Sequence, residues 1–396
     1  MSRLTALIRE DREYKNFASA FVEAMSAVRP LPIAVNGLSG GAEDAFLIES
    51  VSDALSRGVP VLIMAGDEPT RDSTAARLAA AGIECRVYKR RELVFHNINA
   101  SREIDRERLS VLSAILAGEC SVVVTTPAAA LGYTIPQGVI ADLTVTLRGG
   151  YVVEPRALAE KLVTLGFLRV DGVDGVGQFA MRGGILDLWS AEAELPVRIE
   201  FFGDEIDRMV YFDPLSQRSE GVCEEVRLLP ARELLISSDA RERILAEAKK
   251  LLKKAKDSEI TTRLTREIAT IEAGLSLDFG DRYMGLVYDK QESLFDYLSG
   301  IGHRAAIFML GTSACTDGAK KFTENLESEA KSLIEMGVAT TLSAKYTAPV
   351  STFDDFCAEN LTIHLNAFAG GVTGRLSGLF GFRCRRTLSY GDNANM

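Results

Sequence analysis

Three apolar runs, LPIAV (31–35), VPVLIMA (59–65) and SVVVTT (121–126), constrain the fold of this chain more than any other feature. A strand with one wet face alternates apolar and polar residues; these runs do not, so both of their faces must be covered. CRVY (85–88) is a further strand candidate. Between the runs lie stretches long enough for helices. One has Pro69 near its start and Gly82 where it would stop; another, 104–116, is amphipathic. Strands alternating with helices predict a parallel sheet sandwiched between helical layers, an α/β fold. The 396 residues allow two to four domains. With 47% hydrophobic and 25% charged residues, the composition excludes global disorder, a collagen-like chain and a small disulfide scaffold.

The pattern changes after about residue 135. Residues 139–147 read as a strand and 155–165 as a helix stopped at Gly166. Short strands follow at 176–182, 185–189, 196–202 and 205–212, with Gly183-Gly184 and Gly203-Asp204 as hairpin turns. This predicts a small antiparallel α+β domain with one helix. Helical patterning returns over 240–274, and 305–310 and 361–365 read as strands. The expected division is 1–130 and 228–396 as two segments of one α/β domain, with 131–227 inserted between them. The tail, 388–396, carries no terminating signal, as expected of a chain cut from a longer protein. No internal repeat is evident.

Charge and chemistry-bearing residues narrow the function. Six cysteines are scattered without a CxxC pair, which fits reduced thiols in a cytoplasm. The three histidines, His96, His303 and His364, stand apart from one another and from every cysteine, so no local metal-ligand pair is expected. A net charge of −10 does not favour binding to a phosphate backbone. The basic run KKLLKK (249–254) reads as a solvated helix face rather than a nucleic-acid patch. No stretch is apolar and long enough to span a membrane, and the start is too charged for a signal peptide.

Residues 37–44, GLSGGAED, follow a strand and precede a helix, where a phosphate-binding loop would lie. The required pattern is GxxxxGK[ST]. Gly37 fits, but Ala42, Glu43 and Asp44 replace the last glycine, the lysine and the hydroxyl residue. Two carboxylates at a helix N-terminus stabilise the helix and repel a nucleotide. The loop reads as the remnant of an NTPase fold that binds neither ATP nor Mg²⁺, or as a coincidental glycine-rich turn. The same residues match GxSxG, the elbow of α/β-hydrolases, with Ser39 as nucleophile and His303 or His364 as base. Against this, one strand candidate precedes Ser39 where several are usual, and His364 sits inside an apolar run.

GQFAMRGGILDLW (177–189) and LPVRIEFFGDEIDRMVYFDPLSQRS (195–219), with SREIDRERLSVLSAIL (101–116), resemble UvrB and, more closely, the N-terminal UvrB-homology module of the bacterial transcription-repair coupling factors. The resemblance covers most of the chain and weakens after about residue 280. UvrB has an intact phosphate loop and a long aromatic-rich hairpin that clamps DNA. Here the loop is degenerate, the corresponding stretch 88–105 is short with few aromatics, and no DExx box or arginine-rich final motif is evident. The resemblance therefore implies a degenerate helicase-like domain with an inserted α+β domain. It implies no catalytic, metal or cofactor site in this chain. ATP and Mg²⁺ belong to the translocase part of such factors, as do DNA and RNA polymerase to regions outside these residues.

In that family the inserted domain binds UvrA, and the resemblance carries the contact onto Arg182, Arg198 and Phe202. Strand alternation agrees. Val197, Ile199 and Phe201 should face the core, with Arg198, Glu200 and Phe202 outward. Phe179 and Met181 should face inward, with Gln178, Ala180 and Arg182 outward. Arginine and aromatic residues are the usual anchors of an interface. The alternative is that the arginines merely pair with Asp187, Glu200 or Asp204 and that Phe202 packs under a helix. Asp187 is placed to orient Arg182, and Trp189 is expected to pack at the domain edge. An UvrB-like DNA-damage-binding ATPase and the Ser39 hydrolase remain the functional alternatives.

Overall fold

The computed structural model describes residues 3–95, 102–275, 277, 280–367 and 374–384. In chain order the strands are β1 (Ile33–Asn36), β2 (Val61–Ala65), β3 (Arg86–Tyr88), β4 (Val122–Thr125), β5 (Val145–Arg148), β6 (Leu168–Arg169), β7 (Gln178–Arg182), β8 (Ile185–Leu188), β9 (Val197–Phe202), β10 (Glu205–Phe212), β11 (Ser219–Val222), β12 (Glu225–Leu228), β13 (Ala306–Leu310), β14 (Leu361–Asn366) and β15 (Gly378–Gly381).

Seven strands form one parallel sheet in the order β15-β1-β14-β13-β2-β4-β3. The unbroken apolar runs are explained by its two covered faces. In β2, Val61 and Ile63 pack with Phe17 and Phe46, from helices Arg12–Ser26 and Gly41–Ser56. Leu62 and Met64 point the other way, against Leu109, Leu112 and Cys315 from helices Arg102–Leu116 and Thr312–Glu335. β13 and β14 lie between β2 and β1, so residues beyond 300 complete a sheet begun before residue 40.

The second sheet has six strands in the order β11-β10-β9-β8-β7-β6. It is antiparallel except that β6 runs parallel to β7, so it is mixed where uniform antiparallel pairing was expected. Helix Pro155–Thr164 covers its inner face, with Leu158 and Leu162 against Phe179, Leu186, Val197 and Ile199. β5 and β12 pair antiparallel outside the sheet, forming a stem where the chain enters and leaves this unit. Gly183 and Gly203 take the positive φ that the predicted hairpin turns require.

The stretch 139–147 is not one strand. Helix Gln137–Leu143 begins after Pro136, and only Val145–Arg148 is extended, where β12 supplies a pairing partner. Val139, Ile140 and Leu143 suit a helical face as well as a strand, and Pro136 fixes the start. Helix Thr312–Glu335 and edge strand β15 were not anticipated. The tail 388–396, His96 and residues 96–101 of the short 88–105 stretch lie outside the described residues. Among the described residues, no helix is long and apolar enough to cross a membrane. The basic run lies on helix Ser238–Lys254 with its lysines exposed, Lys249 paired with Glu272 and Lys250 with Glu247.

Candidate docking site and the degenerate phosphate loop

The outer face of the mixed sheet is built row by row from strand register. Arg182, Ile185, Glu200 and Arg208 lie opposite one another across β7 to β10; Ala180, Asp187, Arg198 and Val210 form the next row. Phe202 pairs with Glu205 beside the Gly203-Asp204 turn, and Glu205 bridges to Val152. Cross-strand partners share a face, so the two arginines and Phe202 are displayed together.

Their environments differ. Phe202 is 82% exposed and covers nothing. The Asp187 carboxylate is sealed, 1% exposed, and both arginines donate to it. Arg198 reaches it through Nε to Oδ1 at 2.7 Å and Nη2 to Oδ2 at 2.9 Å; Arg182 donates from Nη2 to Oδ2 at 2.9 Å. The Asp187 hydrogen bond raises the pKa of Arg198. One negative charge thus holds two positive ones. Arg198 also donates to Gln217 Oε1 at 3.0 Å and lies 4.6 Å from the centre of the Phe212 ring.

The intramolecular pairing weighed as an alternative for the arginines therefore exists, to Asp187, while Phe202 packs under no helix. Ala180 does not face solvent as alternation suggested. It is buried on the outer side with Val173 and Phe212, and Val170 and Trp189 pack against this small cluster. The 170–176 loop covers that part of the face, which strand periodicity does not encode. Trp189 is half-buried against this cluster and donates from Nε1 to the Ala193 carbonyl at 3.0 Å. Sequence reasoning missed Gln217 and the platform role of Phe212; the Asp-Pro within 213–218 signals a turn but not which residue reaches back.

The glycine-rich loop follows β1 as expected, with Gly37 at φ +82° and Gly40 at φ +56° before helix Gly41–Ser56. Glu43 and Asp44 stand in its first turn, and Asp44 pairs with Arg77 at 2.8 Å. Burial, and then the neighbouring Asp44 charge, pushes the Glu43 carboxyl up. A Cβ on Gly37 would sit 2.0 Å from the Phe382 carbonyl oxygen, and Phe382 N–H donates to the Asn36 carbonyl at 2.8 Å. The chain segment after β15 is thus packed against the loop. This set of residues does not fit a nucleotide phosphate: the cation is replaced by two carboxylates, and the first glycine is closed off by the protein's own backbone.

The hydrolase arrangement is not assembled either. His364 lies within β14 beside Ala34, and its Nδ1 is 2.9 Å from Thr312 Oγ1. Burial lowers its pKa to about 4. His303 is exposed in the turn before β13. Among the described residues, neither hydrogen-bonds Ser39, and no group of three or more histidine, cysteine or carboxylate ligands could hold a metal ion.

Residues 145–234, which span the stem and the mixed sheet, match the family model of the UvrB interaction domain. The chain is 27% identical over 310 residues to the transcription-repair-coupling factor of Bacillus subtilis (strain 168), covering 75% of this chain and 26% of that protein. It is 32% identical over 178 residues to the Myxococcus xanthus transcription-repair-coupling factor, covering 44% of this chain and 15% of that one. A stretch of 147 residues is 35% identical to the UvrABC system protein B of Chlorobaculum tepidum, covering 37% of this chain and 21% of that protein. The chain thus spans about a quarter or less of these relatives. Fold, inserted domain and likeness agree: residues 145–234 form a domain of the UvrB interaction type, and three quarters of the chain is similar in sequence to part of a transcription-repair-coupling factor.

Proposed function

We propose that the chain recruits UvrA to sites of transcription-coupled excision repair, through Arg182, Arg198 and Phe202, and that it performs no chemistry itself. The observation that carries this reading is the outer face of the UvrB interaction domain. A phenyl ring 82% exposed stands beside two arginines that share one buried carboxylate. A solvated aromatic beside guanidinium groups with unused N–H donors is the composition of an interface anchor. The acidic loop supports the non-catalytic part. Contact with RNA polymerase and DNA, and ATP-driven translocation, fall to other regions of a coupling factor acting in the cytoplasm.

A titration of the chain with purified UvrA tests this, with ATP–Mg²⁺ and duplex DNA as parallel ligands. UvrA should bind, and Arg182→Ala and Phe202→Ala should each weaken it, about 30-fold for the anchor residue. Wild-type affinity in both variants refutes the surface. Nucleotide binding at micromolar concentration would restore the UvrB-like ATPase reading.

A further inference from the structure

Gln217 is the sole non-glycine residue with positive φ among the described residues, at +59°. It lies in the turn between β10 and β11, whose form is set by Asp213. The Asp213 carboxylate accepts from Ser216 N at 2.6 Å, and its carbonyl accepts from Gln217 N at 2.8 Å. The left-handed region is natural for glycine and tolerated by asparagine; a longer side chain there is strained. Such strain persists where something else fixes the residue. Here the fixed element is the side-chain amide. Nε2 donates to the Pro214 carbonyl at 2.9 Å, which orients the amide so that Oε1 faces the Arg198 guanidinium and accepts from Nη2 at 3.0 Å. Glycine would relieve the backbone but lose that acceptor, and asparagine is one methylene shorter.

Gln217 and Asp187 together fix the guanidinium. Asp187 takes Nε and Nη2 from within the sheet, Gln217 takes Nη2 from the turn, and Phe212 supports the flat side. Arg198 Nη1 has no hydrogen-bond partner among the described residues. We propose that Gln217 is a positioning residue of the docking face: its strained turn locks Arg198 with the Nη1 edge toward the partner, so that UvrA meets a guanidinium already ordered. The inference rests on the UvrA reading above. Ordering before contact lowers the entropic cost of association, so the effect is on affinity and not on folding.

The test is a titration of UvrA with wild type, Gln217→Gly, Gln217→Asn and Phe202→Ala, each also melted. Both Gln217 variants should bind about 5-fold or more weakly, with a melting temperature equal to or above wild type because strain is released. Gln217→Gly added to Arg198→Lys should produce no further loss, since lysine cannot present the fork that Gln217 orients. Wild-type affinity in both Gln217 variants, while Phe202→Ala still weakens binding, overturns the positioning role and leaves the UvrA reading intact. Weakened binding that is fully additive with Arg198→Lys also overturns it. Failure of the wild type to bind UvrA sinks both.

Discussion

Asp187 binds Arg198 through both carboxylate oxygens and is itself sealed from solvent, while Arg182 shares one of those oxygens from a side chain 58% exposed. The two arginines are therefore not equivalent in the fold. Arg198→Ala leaves a buried carboxylate with one exposed partner and uncovers Phe212; Arg182→Ala leaves the bidentate pair intact. Arg198→Ala should cost about 2–3 kcal/mol of stability, and Arg182→Ala under about 1 kcal/mol. Urea unfolding checks this, and equal costs would contradict the geometry. Lost affinity in Arg198→Ala must therefore be separated from lost fold, whereas Phe202→Ala is free of that complication.

Gly37 and Gly40 both have positive φ, but their surroundings differ. A Cβ at Gly37 collides with the Phe382 carbonyl at 2.0 Å, whereas one at Gly40 meets nothing within 4 Å. Gly37→Ala must push the segment after β15 away from β1 and break the Phe382-to-Asn36 hydrogen bond. We expect it to cost about 3 kcal/mol or more, against about 1 kcal/mol for the backbone strain of Gly40→Ala. Chemical denaturation of the two variants distinguishes packing from strain. In a working phosphate loop the same glycine makes room for a ligand; here it makes room for the chain.

Much of this was legible because apolar burial leaves a periodic trace. Unbroken runs such as 61–65 marked a sheet covered on both sides, and alternation placed Val197, Ile199 and Phe179 in the core and Arg198 and Phe202 outside. The proposed docking residues came from family likeness; alternation shows which way a side chain points, not what it meets. What could not be read was whatever depends on a neighbour distant in sequence. Ala180 is buried by a loop, Gln217 reaches Arg198 across a turn, and β15 exists as a strand because the β1 edge was free to pair.

His364 should give the stability curve a measurable slope in mild acid. Burial lowers its folded-state pKa to about 4, from an unfolded value near 6.5. Between those values the unfolded chain binds the proton that the folded one refuses, so stability falls as pH drops from about 6.5 to 4. The full loss is up to about 3 kcal/mol. Ionisation of the raised Glu43 and Asp44 carboxyls acts with the opposite sign, so the slope is to be read as a difference. His364→Gln can keep a polar contact to Thr312 without titrating, and should flatten the curve over that window. An unchanged slope would mean that the ring is not withheld from protons.

A buried ion pair anchors the inserted unit to the parallel-sheet domain. Arg108, from helix Arg102–Leu116, is 1% exposed and pairs with Glu233, at 0%, just beyond β12. Thr134, on the approach to the unit, donates to the same carboxylate at 2.6 Å. Arg108 also donates to the Lys89 carbonyl at 2.7 Å and lies 4.2 Å from the centre of the Tyr88 ring. One carboxylate thus ties both connections of the inserted unit to the parallel-sheet domain. Removing either partner strands a charge away from water, so Glu233→Ala and Arg108→Ala should each cost about 3–5 kcal/mol. Replacing both with apolar residues of similar volume, Arg108→Met with Glu233→Leu, removes the desolvation cost together with the attraction. That double variant should be more stable than either single alanine, although it leaves Thr134 without its acceptor. Thermal unfolding of the three proteins decides it. If the single losses simply add in the double variant, the pair is not the joint that its burial indicates.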